Sequence, residues 1–315
     1  MKLPSFLIFT TLSFISWSLT SCSDDEPGDT GPEICPTDKT QYTESMVMVS
    51  VLDYNPAPGQ FVNEIPEYED GDDADTMAAK CTDMLNYGYM VTLGAWGGNI
   101  TLKLNEPIVN IANDFDLKIL GNSIGSSTTS AGYSTGSAEP GIIMVMQDIN
   151  GNGLADDTWL EIKGSAHDKS IDEYSVTYFA PTSDSDDNKH IQWTDSQNKS
   201  GYIAKNAYHE QSYFPLWNNA ESITVTGRRL PDNAVFNSDY NTYALMTFDF
   251  GYADNHKNTD KGAMIDLDWA VNALGENDAP SQIDFIKIYT GVFQTNGAIG
   301  ECSTEIGGIV KLEKR

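Results

Sequence analysis

The sequence predicts a mainly β body, an antiparallel β-sandwich of jelly-roll type with one or two short helices. Three observations predict it. Short runs alternate apolar with polar residues, as half-buried strands do. Connections rich in Gly, Asn, Asp, Ser and Pro separate these runs. Good helix formers with apolar residues at helical spacing occur in only one stretch.

The elements follow in chain order. Residues 45–52, SMVMVSVL, read as a first strand. Residues 90–93 lead through Gly94-Ala95-Trp96-Gly97-Gly98 into an alternating strand at 99–104, and 115–120 alternates too. Residues 141–146, GIIMVM, are nearly all apolar, which predicts a strand covered on both faces. Further strands are expected at 159–162, 174–179, 223–226, 243–248 and 283–289. Residues 76–85 predict a helix with Asp75 as candidate N-cap, and 268–272 predict one short turn ended by Gly275. The Ser/Thr/Gly-rich stretch 121–136 is expected to be a mobile loop.

Residues 1–21 read as a lipoprotein signal peptide: Lys2, an apolar run from Ser5 to Leu19, then small residues. The run is too short and too interrupted by Thr and Ser for a membrane span. Leu19-Thr20-Ser21-Cys22 resembles the lipobox of bacterial lipoproteins, which implies a diacylglycerol on Cys22 and contact with the membrane through that lipid anchor only. Ser23-Asp24-Asp25-Glu26-Pro27 resembles the acidic surface-export signal of Bacteroidetes lipoproteins. The expected location is therefore the outer membrane, lipid-anchored and exposed at the cell surface. Residues 22–40 read as an acidic disordered tether and 41–315 as the β-sandwich body, either one large unit or two packed subdomains.

The chain carries 18 Lys and Arg against 46 Asp and Glu. That field repels nucleic acid and anionic headgroups and favours cations, neutral ligands or basic partners. Four cysteines occur, Cys22, Cys35, Cys81 and Cys302, with no CxxC spacing for zinc. A Cys81–Cys302 bridge and two buried free thiols both fit the sequence.

Asp148-Ile149-Asn150-Gly151-Asn152-Gly153-Leu154-Ala155-Asp156-Asp157 is the sharpest local signal. Oxygen side chains recur at its first, third and fifth positions, Gly153 permits the sharp turn at the sixth, and Asp156 is the ninth. Calcium needs six to eight hard oxygen ligands, and this spacing can wrap them round one ion. Asp148, Asn150, Asn152, Leu154, Asp156 and Asp157 are the candidate ligands, for a structural Ca²⁺. The twelfth position is Trp159, so Asp157 or Glu161 would have to close the shell. A Gly/Asn-rich hairpin without an ion fits the same residues.

Catalytic signals are weaker. Gly121-Asn122-Ser123-Ile124-Gly125 matches GxSxG, but a Ser/Thr/Gly loop follows where a nucleophile elbow needs a helix. His167, His190, His209 and His256 form no close ligand pair. Asp249, Asp254, Asp260, Asp266 and Asp268 are spaced as expected in so acidic a chain, and paired carboxylates do glycosidase chemistry only at a defined separation. Aromatics point instead to binding. Trp193, Tyr202, Tyr208, Tyr213 and Trp217 crowd one stretch with Phe214 and Tyr240, among Asn, Gln and His. Rings with amide and hydroxyl donors suit a sugar or a corrinoid, though alternating aromatics also build sandwich cores.

The motifs Pro58-Gly59-Gln60-Phe61-Val62-Asn63, Leu93-Gly94-Ala95-Trp96-Gly97-Gly98, Asp114-Phe115 with Gly121-Asn122, and Glu139-Pro140-Gly141 carry a likeness over nearly the whole body. The stretch from Asp148 to Trp159, Trp193-Thr194-Asp195, Phe248-Asp249-Phe250-Gly251-Tyr252-Ala253-Asp254-Asn255 and Ile283-Asp284-Phe285-Ile286-Lys287-Ile288-Tyr289-Thr290-Gly291 continue it. The chain resembles Bacteroidetes cell-surface lipoproteins associated with cobalamin (corrinoid) uptake. The resemblance implies a non-enzymatic module that captures a corrinoid and hands it to an outer-membrane TonB-dependent transporter complex. The alternative is a surface module binding glycan, and a glycoside hydrolase or esterase is the third reading.

Overall fold

The structure is a computed structural model, and it describes residues 42–129, 132–182, 190–205 and 208–315. The expected signal peptide, Cys22 with its lipid, the tether and Cys35 lie outside the described residues. Among the described residues the body is mainly β, with one α-helix and several antiparallel sheets.

Two sheets share the main core. The larger orders its six strands as Ala270–Val271, Leu160–Ile162, Gly141–Met146, Gln282–Thr290, Asn99–Val109 and Val49–Asn55. The smaller orders four as Tyr42–Val47, Gly308–Lys314, Leu117–Leu120 and Met264–Ile265. Ile100, Leu102, Ile143, Val145, Ile286 and Ile288 of the larger meet Val47, Leu117, Ile119, Ile265 and Ile309 of the smaller in one cluster. Strand alternation sends the neighbours Asn99, Met144, Lys287 and Tyr289 to the opposite face of the large sheet. The apolar run 141–146 is buried on both faces, because Ile142 joins a separate core with Ala166, Leu230, Tyr252 and Val292.

A third sheet orders Ser200–Ile203, Ile191–Asp195, Ile171–Phe179 and Ser222–Arg229. It closes over a second core of Trp96, Tyr174, Tyr178, Tyr213 and Phe214. The turn from Leu93 to Gly98 bridges the two cores. Its Gly97 N–H donates to Thr290 O at 3.0 Å, and Tyr178 Oη donates to Trp96 O at 2.9 Å. A Cβ on Gly98 would lie 1.8 Å from Leu93 O, and Gly94 has φ +68° with Ala57 O where its Cβ would go. Only glycine fits where three stretches of backbone meet.

Several expectations need correction. The stretch 45–52 is two strands: Tyr42–Val47 pairs with Gly308–Lys314, and Val49–Asn55 pairs with Asn99–Val109 in the other sheet. The chain switches sheets at Met48, a sandwich corner that an unbroken β-branched run conceals. The helix spans Ala74–Asn86, and its N-cap is Asp73, not Asp75. Asp73 Oδ1 accepts the Thr76 N–H at 2.9 Å, while Asp75 complements the positive end from the first turn. Strand 115–120 starts only at Leu117, because the Asp116 carboxylate accepts the N–H groups of Ile111 and Leu267. Within 121–136, Ser126–Thr128 pairs with Ser134–Gly136 as a hairpin. The turn expected at 268–272 is a 3₁₀ turn, Leu267–Trp269, running into Ala270–Val271.

The helix buries Met77, Ala78, Cys81 and Leu85 against Val49–Asn55, the last strand of the large sheet. Asn86 exchanges two hydrogen bonds of 2.9 Å with the Val49 backbone, and Thr82 Oγ1 accepts the Val51 N–H. Helix side chains thus satisfy backbone groups of that edge. Cys81 and Cys302 are buried free thiols, not bridged to each other. Burial pushes both thiols well up from their ordinary value, so neither is nucleophilic.

Candidate functional site

A cleft of about 460 Å³ lies between the outer face of the large sheet and the strand Ser222–Arg229. The sheet supplies Asn99, Met144, Glu161, Lys287 and Tyr289; the facing strand supplies Thr224 to Arg228; Gly97, Trp159 and Asp172 complete the wall. Ser222–Arg229 is the terminal strand of its own sheet, which leaves its second edge to the cleft. Tyr289 Oη accepts the Arg228 N–H at 3.1 Å and pins the cleft floor.

The charges are unevenly engaged. Arg228 Nε meets Glu161 at 3.0 Å, and its Nη2 lies 3.4 Å from Asp172. Burial lifts the Glu161 carboxyl above the usual carboxylate range, with Arg228 and then His167 pulling the other way. Burial works against the Arg228 charge, but Glu161 outweighs it and holds the guanidinium above its ordinary value. The half-buried Lys287 side chain makes no ion pair or hydrogen bond among the described residues. Trp159, also half-buried, stacks on no other ring among them. The cleft therefore offers an indole and an ammonium to a guest.

The loop from Asp148 to Asp157 leads directly into Trp159. Asp148 accepts N–H groups from Asn152 and Gly153, Asn152 Oδ1 accepts from Leu154, and Asp157 Oδ2 accepts from Ile149. Asn150 and Asn152 turn their amides to Asp156. The predicted ligand residues Asp148, Asn150, Asn152, Leu154, Asp156 and Asp157 are thus brought together in one turn, with Gly151 at φ +70° and Gly153 at φ +74°. Lys103 Nζ donates to Gly153 O at 2.8 Å and ties the loop to the large sheet.

A second acidic group was not legible as a unit in the sequence. Glu139, Asp254 and Glu305 place carboxylate oxygens within 4.8 Å of one another. Asp254 is 2% exposed and adopts φ +48°, which aims Oδ1 at the N–H groups of Asn122 and Ser123, both 2.8 Å away. Its Oδ2 accepts the Glu305 N–H; Glu305 in turn accepts from Thr92, Ser303 and Asn122; Glu139 accepts the Ser303 N–H. Nearby in sequence, Glu301 accepts the Gln60 N–H at 2.5 Å, and its other oxygen is buried without a partner. None of the four meets a Lys or Arg among the described residues. Burial therefore pushes Asp254 up to about 7, Glu301 to about 7 and Glu305 to about 8, and Glu139 rises for the same reason and from the charges of Glu305 and Asp254. Shared protons or a cation would neutralise them, and the cluster ties four segments of chain together.

The predicted aromatic residues do not converge. Tyr213 is 0% exposed and belongs to the second core with Phe214. Trp193 packs edge-on against Phe293 at 4.8 Å. Trp217 stacks on Tyr54 and Tyr68 beside the main core. Tyr202 is 60% exposed and Tyr208 is 84% exposed, away from the cleft walls. Tyr240 instead meets Tyr133 at 6.1 Å on an exposed hairpin. The rings that do line the cleft are Trp159, which follows the Asp148 loop, and Tyr289, and both were counted in sequence only as strand.

Ser123 is buried, donates to Asn255 O and accepts the Gly125 N–H, with no helix after it, so the GxSxG match forms no elbow. The four histidines stand apart: His167 by Glu161, His190 at Lys205 N, His209 by Glu64 and Phe61, and His256 at Phe248 O. Comparison with known protein families and with curated proteins finds no match for the chain.

Proposed function

We propose that the protein is a surface-exposed, lipid-anchored outer-membrane module that holds a corrinoid in the cleft at Trp159 and releases it unchanged to a TonB-dependent transporter. The single observation that carries this reading is the cleft itself. Its volume is that of a small-molecule site, enough to seat one side of a guest as large as a corrinoid, and its walls combine an indole, a tyrosine, a methionine and fixed polar groups. Among the described residues the carboxylates of its lining are Glu161 and Asp172, both held by Arg228, so none of them offers a free acid–base pair to a guest. The motif resemblance supports the ligand class. The Asp148 loop holds Ca²⁺ in this account, as a brace that fixes where Trp159 begins.

Isothermal titration of the full chain in detergent with cyanocobalamin tests the reading. Saturable binding at micromolar concentration or below, weakened at least tenfold by Trp159→Ala, is expected. No heat at all would overturn it.

Glycan binding keeps a place because of a different surface. Tyr133, Phe236, Tyr240 and Tyr243 line an exposed hairpin, with Phe236 52% and Tyr240 70% exposed, beside a cavity of about 180 Å³ containing Ser134, Asn237 and Asp239. Exposed rings among hydroxyls and amides suit a sugar face. A glycan array separates the two readings.

A further inference from the structure

We infer that the guest of the Trp159 cleft carries an anionic oxygen group, which the Lys287 ammonium takes. The inference rests on the capture reading above and adds the chemical class of one part of the ligand.

Lys287 stands opposite Thr101 on one neighbouring strand and Met144 on the other, so its side chain leaves the large sheet on the cleft face. It is half-buried there and meets neither a carboxylate nor any other acceptor among the described residues. Lys169, Lys199 and Lys257 also form no ion pair among the described residues, but they are exposed; Lys287 lacks one while half-buried. Lys103 lies diagonally across the same face, because Phe285 pairs with Lys103 where Lys287 pairs with Thr101. It also forms no ion pair, spending its Nζ on the Gly153 carbonyl at 2.8 Å. Arg228, on the facing strand, is already neutralised by Glu161 and Asp172. Among the described residues, neither of the two neighbouring ammonium groups on this face is in ion-pair contact with a carboxylate.

A partly desolvated charge costs free energy until a partner arrives, and an oxyanion hydrogen-bonded to an ammonium gains a charge-assisted bond. A neutral guest would leave Lys287 unanswered and further from water. A guest with a phosphate diester or a carboxylate at one end and a flat apolar part at the other would satisfy Lys287 and Trp159 together.

Corrinoids supply a matched pair of probes. Cyanocobalamin carries a phosphate diester in its nucleotide loop, and dicyanocobinamide has the same ring without that loop. Each is titrated calorimetrically into the full chain in detergent, as the wild type, Lys287→Met and Lys287→Arg. Wild type is expected to bind cyanocobalamin at least tenfold more tightly than dicyanocobinamide, with the difference shrinking as salt rises. Lys287→Met is expected to lose that tenfold for cyanocobalamin and to leave dicyanocobinamide unchanged, and Lys287→Arg to keep most of it. Tight binding of both probes with no effect of Lys287→Met overturns the anion inference alone. Equal weakening of both probes does the same, since it marks a structural role for the lysine. No binding of either probe to wild type removes the capture reading and this inference with it.

Discussion

Trp159 and Tyr213 show how differently two aromatic residues of one chain are used. Tyr213 is sealed in the second core, so Tyr213→Ala should destabilise the fold by about 3–5 kcal/mol, as large-to-small core changes do. Urea unfolding measures that loss. Trp159→Ala should lower the urea midpoint less than Tyr213→Ala does, because its ring is only part-buried, while weakening ligand binding. The sequence put Trp159 at the head of a strand and Tyr213 in an aromatic stretch with no element assigned, and neither placement says which ring faces inward, because that depends on partners far away in the chain. Lys287 was hidden for the same reason: a lysine in an alternating strand reads as solvent-facing until a second sheet covers it. The Asp148 loop was legible because its oxygens recur within ten residues, a purely local pattern. Calcium at 1 mM should raise the melting temperature, and EDTA or Asp148→Ala should abolish the gain; saturation at about 100 times Kd corresponds to about 2.7 kcal/mol.

At the scale of elements, the helix and the run at 283–289 could be read from periodicity, and the run at 141–146 from its unbroken apolar character. The sheet switch at Met48 could not, since both halves of the run are strand-forming and only their partners differ. Nor could the C-terminal strand Gly308–Lys314, which is central to the small sheet yet ends in charged residues. The turn from Leu93 to Gly98 joins the large sheet to the cleft wall, and its glycines are there because backbone fills the space a Cβ needs. Gly98→Ala should therefore cost about 1–3 kcal/mol or more, read as a lowered urea midpoint, although it adds only a methyl group.

The whole molecule should be most stable in mild acid. Unfolded carboxyls release their protons near pH 4, whereas Asp254, Glu301 and Glu305 keep theirs in the fold up to about pH 7–8. Between those limits the folded state binds more protons than the unfolded one, so stability falls as pH rises. Melting temperature should drop from pH 5.5 to pH 8.5, and Glu139→Gln, which keeps an oxygen for the Ser303 N–H, should flatten the slope. This cluster draws its acids from residues 139, 254 and 305, a convergence that follows from topology and left no local trace in the sequence. The most direct test of the account uses the cobalt atom itself. In a crystal grown with cyanocobalamin, anomalous scattering should place cobalt at the mouth of the cleft beside Trp159. A cobalt peak at the Tyr133–Tyr240 hairpin, with the cleft holding only water, would contradict it.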